Sequence, residues 1–130
     1  MRLISRYLGM KYRISLERFT DVGPRLWLVH GGPVVINAHA HIGANCSIYQ
    51  YSTIGQSDKG SPNIGNDVVI FASSCVIGKI NIGNKTTIGA GSIVIKDVPE
   101  GATVAGNPAK VISYKEPGRF VLNKWKTKEN

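Results

Sequence analysis

Aromatic residues make up only 8% of this 130-residue chain, so its core must come from aliphatic side chains rather than stacked rings. Cysteine is scarce too: Cys46 and Cys75 stand 29 positions apart with no Cys-X-X-Cys pattern. That excludes a disulfide-stapled scaffold and a thioredoxin-type pair, and both read as small buried hydrophobes. No window approaches the roughly eighteen apolar residues of a membrane-spanning helix. The start, Met1-Arg2-Leu3-Ile4-Ser5-Arg6, lacks the long apolar stretch of a secretory signal, so a cytoplasmic location is expected. Acidic residues are few, eight Asp and Glu against sixteen Lys and Arg, for a formal net charge of +8.

The surplus positive charge sits at the ends. Residues 1–25 carry six basic and two acidic groups, 26–112 five and four, and 113–130 five and two. No nucleic-acid recognition motif accompanies this charge, so nucleic acid is not expected as a partner. A membrane-surface role for either end is the sharper alternative to a solvated segment, but one short basic segment binds a bilayer weakly.

What the chain has in abundance is Ile, Val and Gly, fifteen, twelve and fifteen residues, a composition of short strands and tight turns. The aliphatic residues repeat with a period of six: Ile36, Ile42, Ile48 and Ile54, then Ile64, Ile70, Val76, Ile82, Ile88 and Val94. Six is a multiple of the strand period of two and not of the helical 3.6. The residue two before the repeat position is small at Ala40, Cys46, Ser52, Ser74, Thr86 and Ser92, and Gly follows it at Gly43, Gly55, Gly65, Gly83 and Gly89. Short strands that turn a corner every sixth residue predict an all-β solenoid of parallel strands.

The phase breaks once, between Ile54 and Ile64, where residues 56–63 contain four extra positions and predict a loop thrown out from a corner. A loop on a rigid scaffold is a preferred place for function. Before the repeat, Leu3, Tyr7, Met10 and Ile14 fall at helical spacing and predict a short helix within an N-terminal segment, 1–21. The solenoid is expected over 22–112. The tail, 113–130, with Phe120 and Trp125, is expected to fold back over the last coil and cover its strand edges. Val34, Tyr49, Tyr51 and Phe71 are expected to point outward into an interface.

Three histidines are present. His39 and His41 share a strand face but have no histidine about eighteen residues away, the length of a coil if it holds three hexads, so no metal site is expected. His30 stands six before Ile36, where the repeat calls for an aliphatic residue, and is followed by Gly31 and Gly32. A titratable group there reads either as an irregular first coil or as a general base.

The hexads, the loop, the run Ile88 to Pro99 and the closing run Val104-Ala105-Gly106-Asn107-Pro108-Ala109-Lys110-Val111-Ile112 resemble left-handed parallel β-helix (hexapeptide-repeat) acyltransferases. Within them the chain resembles the serine O-acetyltransferase branch, including the sugar O-acetyltransferases of surface-polysaccharide biosynthesis. The resemblance implies acetyl-CoA as donor, a hydroxyl acceptor and a homotrimer with sites in the grooves between prisms. It places the catalytic histidine at His30 and lines the CoA channel with Ala90, Lys96 and Lys110. The family's orienting Asp falls at Ser15, with Glu17 or Asp21 as substitutes, and a second family histidine is here Ser61.

These observations set the expectations tested below. The chain is a CoA-dependent O-acetyltransferase acting on a sugar hydroxyl. His30 is the base, with a backbone N–H or the Asn37 amide as oxyanion donor, and Asn37 and Ser61 are the acceptor-binding residues. Serine acetyl transfer and a non-catalytic β-helix module are the alternatives.

Overall fold

The computed structural model describes residues 9–122. Among them fifteen short strands stack into a triangular prism. Face I holds β1 (Ile14–Leu16), β4 (Val34–Ile36), β7 (Ser52–Gly55), β10 (Cys75–Ile77) and β13 (Ile93–Val94). Face II holds β2 (Asp21–Val22), β5 (His41–Ile42), β8 (Asn63–Ile64) and β11 (Asn81–Ile82). Face III holds β3 (Trp27–Val29), β6 (Ser47–Tyr49), β9 (Val69–Ile70), β12 (Thr87–Ile88), β14 (Thr103–Gly106) and β15 (Ala109–Ser113). Every pairing is parallel except the closing β14–β15 hairpin.

The six-residue repeat becomes three aliphatic columns. Ile36, Ile54, Val76 and Val94 stack on face I, Ile42, Ile64 and Ile82 on face II, and Ile48, Ile70 and Ile88 on face III, each no more than 2% exposed. Burying one such side chain is worth roughly 1.5–3 kcal/mol against the entropy of ordering it. The small residues two positions earlier lie beneath the corners, and Ala40, Cys46, Ser52, Ser74, Thr86 and Ser92 are all buried. The glycine that follows a repeat residue is fixed by the coil above it: a Cβ on Gly43 would stand 2.6 Å from the carbonyl carbon of Gly65.

The ends depart from the repeat. Residues 9–12 are helical, Met10 is exposed and Ile14 already belongs to β1, so the helical spacing does not run on to Ile14. Leu3 and Tyr7 lie outside the described residues, as does Trp125. At the other end β15 pairs with β14 and closes the last edge of face III. The chain then passes over that face, where the rings of Phe120 and Phe71 meet edge to face at 5.3 Å.

Candidate functional site

His30 sits on the corner between faces III and I. Leu28 pairs with Ile48 and Val34 with Ser52, so the first coil takes six residues where the coil above takes four. The two extra residues fall in the His30–Pro33 corner. The aliphatic position of the hexad is therefore Leu28, and His30 is lifted out of phase onto the surface. His30, Gly31 and Gly32 all have positive φ, 64°, 80° and 135°. Glycine is required at the last of these, because a Cβ on Gly32 would stand 2.6 Å from the Tyr12 carbonyl oxygen. The same insertion corrects the expectation for Val34: it takes the inward position in line with Ser52 and is 1% exposed, so it is core and not interface.

The corner between faces I and II carries a second polar cluster. Asn37 Oδ1 accepts hydrogen bonds from Ser61 Oγ at 2.8 Å and from the His39 backbone N–H at 2.9 Å. The 56–63 loop rises from this corner as a compact hairpin in which Ser57 and Gly60 exchange backbone hydrogen bonds. Asn37 and Ser61 are thus brought together. Within one chain, though, the length of β4 separates them from His30.

No carboxylate hydrogen-bonds the His30 ring among the described residues. Ser15 lies on β1 in register with Val35, and the Glu17 carbonyl accepts the Thr20 N–H. Asp21 is engaged elsewhere: its Oδ2 lies 2.6 Å from His41 Nδ1, across the β2–β5 pairing. A coil of eighteen residues does not align this pair, because the inserted corner lengthens the first coil to twenty. The pair's signal was an Asp and a His one such coil apart.

Above His30 a column of rings climbs the edge of face III. His30 meets Tyr49 edge to face at 6.0 Å, and Tyr49 meets Phe71 at 4.9 Å, so these two rings are packed in the column while Tyr51 projects into solvent. Above Phe71 the column gives way to Gly89 and Ala105. Ala90 and Gly91 turn the same corner, and a Cβ on Gly91 would meet nothing within 4 Å. Lys96 lies beyond β13 toward the face I–face II corner, and Lys110 lies on β15 opposite Ala105. Ala90 therefore shares the corner of His30, while the two lysines stand on different sides of the prism. Cys46, by contrast, is inert: burial pushes its thiol up to about 11.

Three-sided coils, hexad columns and corner insertions define a parallel β-helix built on a hexapeptide repeat, and its likeness to serine acetyltransferases makes it the left-handed kind. Solved structures of that class superpose closely. A serine acetyltransferase in complex with CoA matches with a TM-score of 0.76 and 30% identity, over 80% of this chain and 44% of its own. The enzyme from Brucella abortus strain S19 matches with a TM-score of 0.77 and 33% identity, over the same shares. In sequence, serine acetyltransferase 1 of Arabidopsis thaliana, a chloroplastic protein, is 41% identical over 121 residues, 90% of this chain and 38% of its own. The serine acetyltransferase of Staphylococcus xylosus is 38% identical over 124 residues, 92% and 56%. The chain thus spans about half the length, or less, of these relatives. No family model matches it.

These likenesses overturn the expectation of a sugar acceptor in surface-polysaccharide biosynthesis. That reading leaned on departures from the serine acetyltransferase pattern, Ser61 and Ser15 among them, whereas the likeness itself runs through 121 residues and is to serine acetyltransferases. A glycan partner falls with it.

Proposed function

We propose that the chain transfers an acetyl group from acetyl-CoA to the hydroxyl of serine, with His30 as general base. The observation that carries this reading is the inserted corner, which presents the His30 imidazole outward on the same corner of the prism that Ala90 and Gly91 turn three coils further on. Acetyl-CoA supplies the acetyl group as a thioester. The His30 imidazole takes the proton from the acceptor hydroxyl as that oxygen bonds to the thioester carbonyl carbon. When the carbon–sulfur bond breaks, the imidazolium returns the proton to the leaving sulfur, so O-acetylserine and free CoA form with no net change in protons.

The same proposal includes a homotrimer. His30 and the Asn37–Ser61 pair stand at opposite ends of face I, and a groove shared by two copies is an arrangement in which one copy's imidazole meets the other's amide and hydroxyl. The outward row of face I suits such an interface: Val35, Thr53, Cys75 and Ile93 are in register, and none is charged. A cytoplasmic setting belongs to this reading, and both cysteines are free. Release of CoA thiol, followed with L-serine and in parallel with a panel of sugars, tests it. Turnover with serine supports the proposal, and turnover with no acceptor removes it.

A further inference from the structure

The first coil leaves the aliphatic core open at its end of the prism. Its strands β1, β2 and β3 are the outermost strands of their three sheets, so no strand pairs beneath them among the described residues. The inward positions of this coil are Leu16, Val22 and Leu28, in register with Ile36, Ile42 and Ile48. Those three isoleucines are buried, whereas Leu16 is 42% exposed and Val22 and Leu28 are only half-buried. The opposite end is closed: Val98, Ala102 and Val104 are each no more than 5% exposed.

Around the open end stand apolar side chains that the fold does not use. Phe19, on the corner between faces I and II, is 85% exposed, and Met10 is 72% exposed. Cations are interleaved with them. The Arg18 guanidinium lies 5.3 Å from the centroid of the Phe19 ring, and Lys11 Nζ lies 5.4 Å from that of the exposed Tyr12 ring. Arg13 and Arg25 add two further charges, against Glu17 and Asp21, and Asp21 is engaged by His41. Exposed rings flanked by cations are the composition of a surface that lies at the headgroup level of a bilayer.

The charge selects the occupant. A second copy set end to end would bring the same four cations face to face, which like charge opposes, whereas an anionic lipid surface meets them with opposite charge. A basic segment alone holds a bilayer weakly, and the open end adds the apolar component that firmer binding needs. At headgroup depth water still reaches the free edges of β1, β2 and β3.

We propose that the open first coil docks on an anionic membrane surface, with Met10 and Phe19 entering the headgroup region and Lys11, Arg13 and Arg18 facing the lipid phosphates. The inference stands apart from the acetyl-transfer reading and does not require it.

The test is co-sedimentation of the full chain with vesicles of three parts phosphatidylcholine to one part phosphatidylglycerol, beside vesicles of phosphatidylcholine alone. The chain should bind the first and not the second, and binding should weaken as salt rises. Met10→Ser/Phe19→Ser exchanges two exposed side chains, so the melting temperature should hold while the partition coefficient falls roughly tenfold or more. Lys11→Glu/Arg18→Glu should abolish binding. Ile112→Ser/Tyr114→Ser, which alters two exposed residues at the closed end, should bind as wild type does. No binding to the anionic vesicles overturns the proposal, as does binding that survives both first-coil variants or is lost in the closed-end one. Light scattering reads out the other occupant: a mass that halves in Met10→Ser/Phe19→Ser makes the open end an interface between copies, and the membrane proposal falls.

Discussion

His41 Nδ1 and Asp21 Oδ2 lie 2.6 Å apart on the outer side of face II, the single histidine–carboxylate pair among the described residues. The arrangement is that of a base held by its orienting acid, yet it stands on an open face, with side chains 48% and 75% exposed. An exposed pair of this kind contributes little stability.

Asp21→Asn should therefore cost no more than about 1 kcal/mol in urea unfolding, and serine acetyl transfer should stay within twofold of wild type. A loss of a hundredfold would move the catalytic base from His30 to His41.

Cys46 makes stability depend on alkaline pH. Its thiol is raised by burial from 9.0 to about 11, so between those values the unfolded chain has lost the proton that the folded chain keeps. The stabilisation is full below pH 9 and is lost as pH rises toward 11, up to roughly 2–3 kcal/mol for a shift of this size. Urea unfolding at pH 8 and pH 10.5 should show the fall in wild type and a smaller one in Cys46→Ala, whose baseline stability is lower because a buried atom has gone. Equal slopes in the two proteins would show that the thiol is not the source.

Face I carries the proposed subunit contact. Val35→Glu and Ile93→Glu each place a charge on its outward row, which points away from the aliphatic columns, so the fold should persist while the trimer dissociates. Light scattering should give three times the chain mass for wild type and one chain mass for the variants, with unchanged circular dichroism. A monomeric wild type would contradict the shared groove.

The sequence made the solenoid legible because its signal is redundant: ten in-phase Ile and Val residues report the same three columns. The corners were less legible, since each is a single event. Two extra residues between Leu28 and Val34 moved His30 from the hexad position to the surface and Val34 from surface to core. Periodicity counted backward from Ile36 has no means of detecting an insertion it must cross. The Asn37–Ser61 contact joins residues 24 positions apart across the loop, and the Phe71–Phe120 contact depends on the path of the tail. Neither follows from a repeat. The acceptor is a related case: departures from the family pattern at single positions, Ser61 and Ser15 among them, weigh less than a likeness spread along the scaffold.

The central claim is that His30 is the base for acetyl transfer to serine, and one comparison tests it directly. Asparagine tolerates the positive φ of residue 30, so His30→Asn removes the imidazole with little strain on the corner. Thiol release from acetyl-CoA in the presence of L-serine should be serine-dependent in wild type and lower by roughly 100- to 10,000-fold in kcat for His30→Asn, with melting temperature unchanged. Serine-dependent turnover that survives the substitution at near wild-type rate would contradict the account.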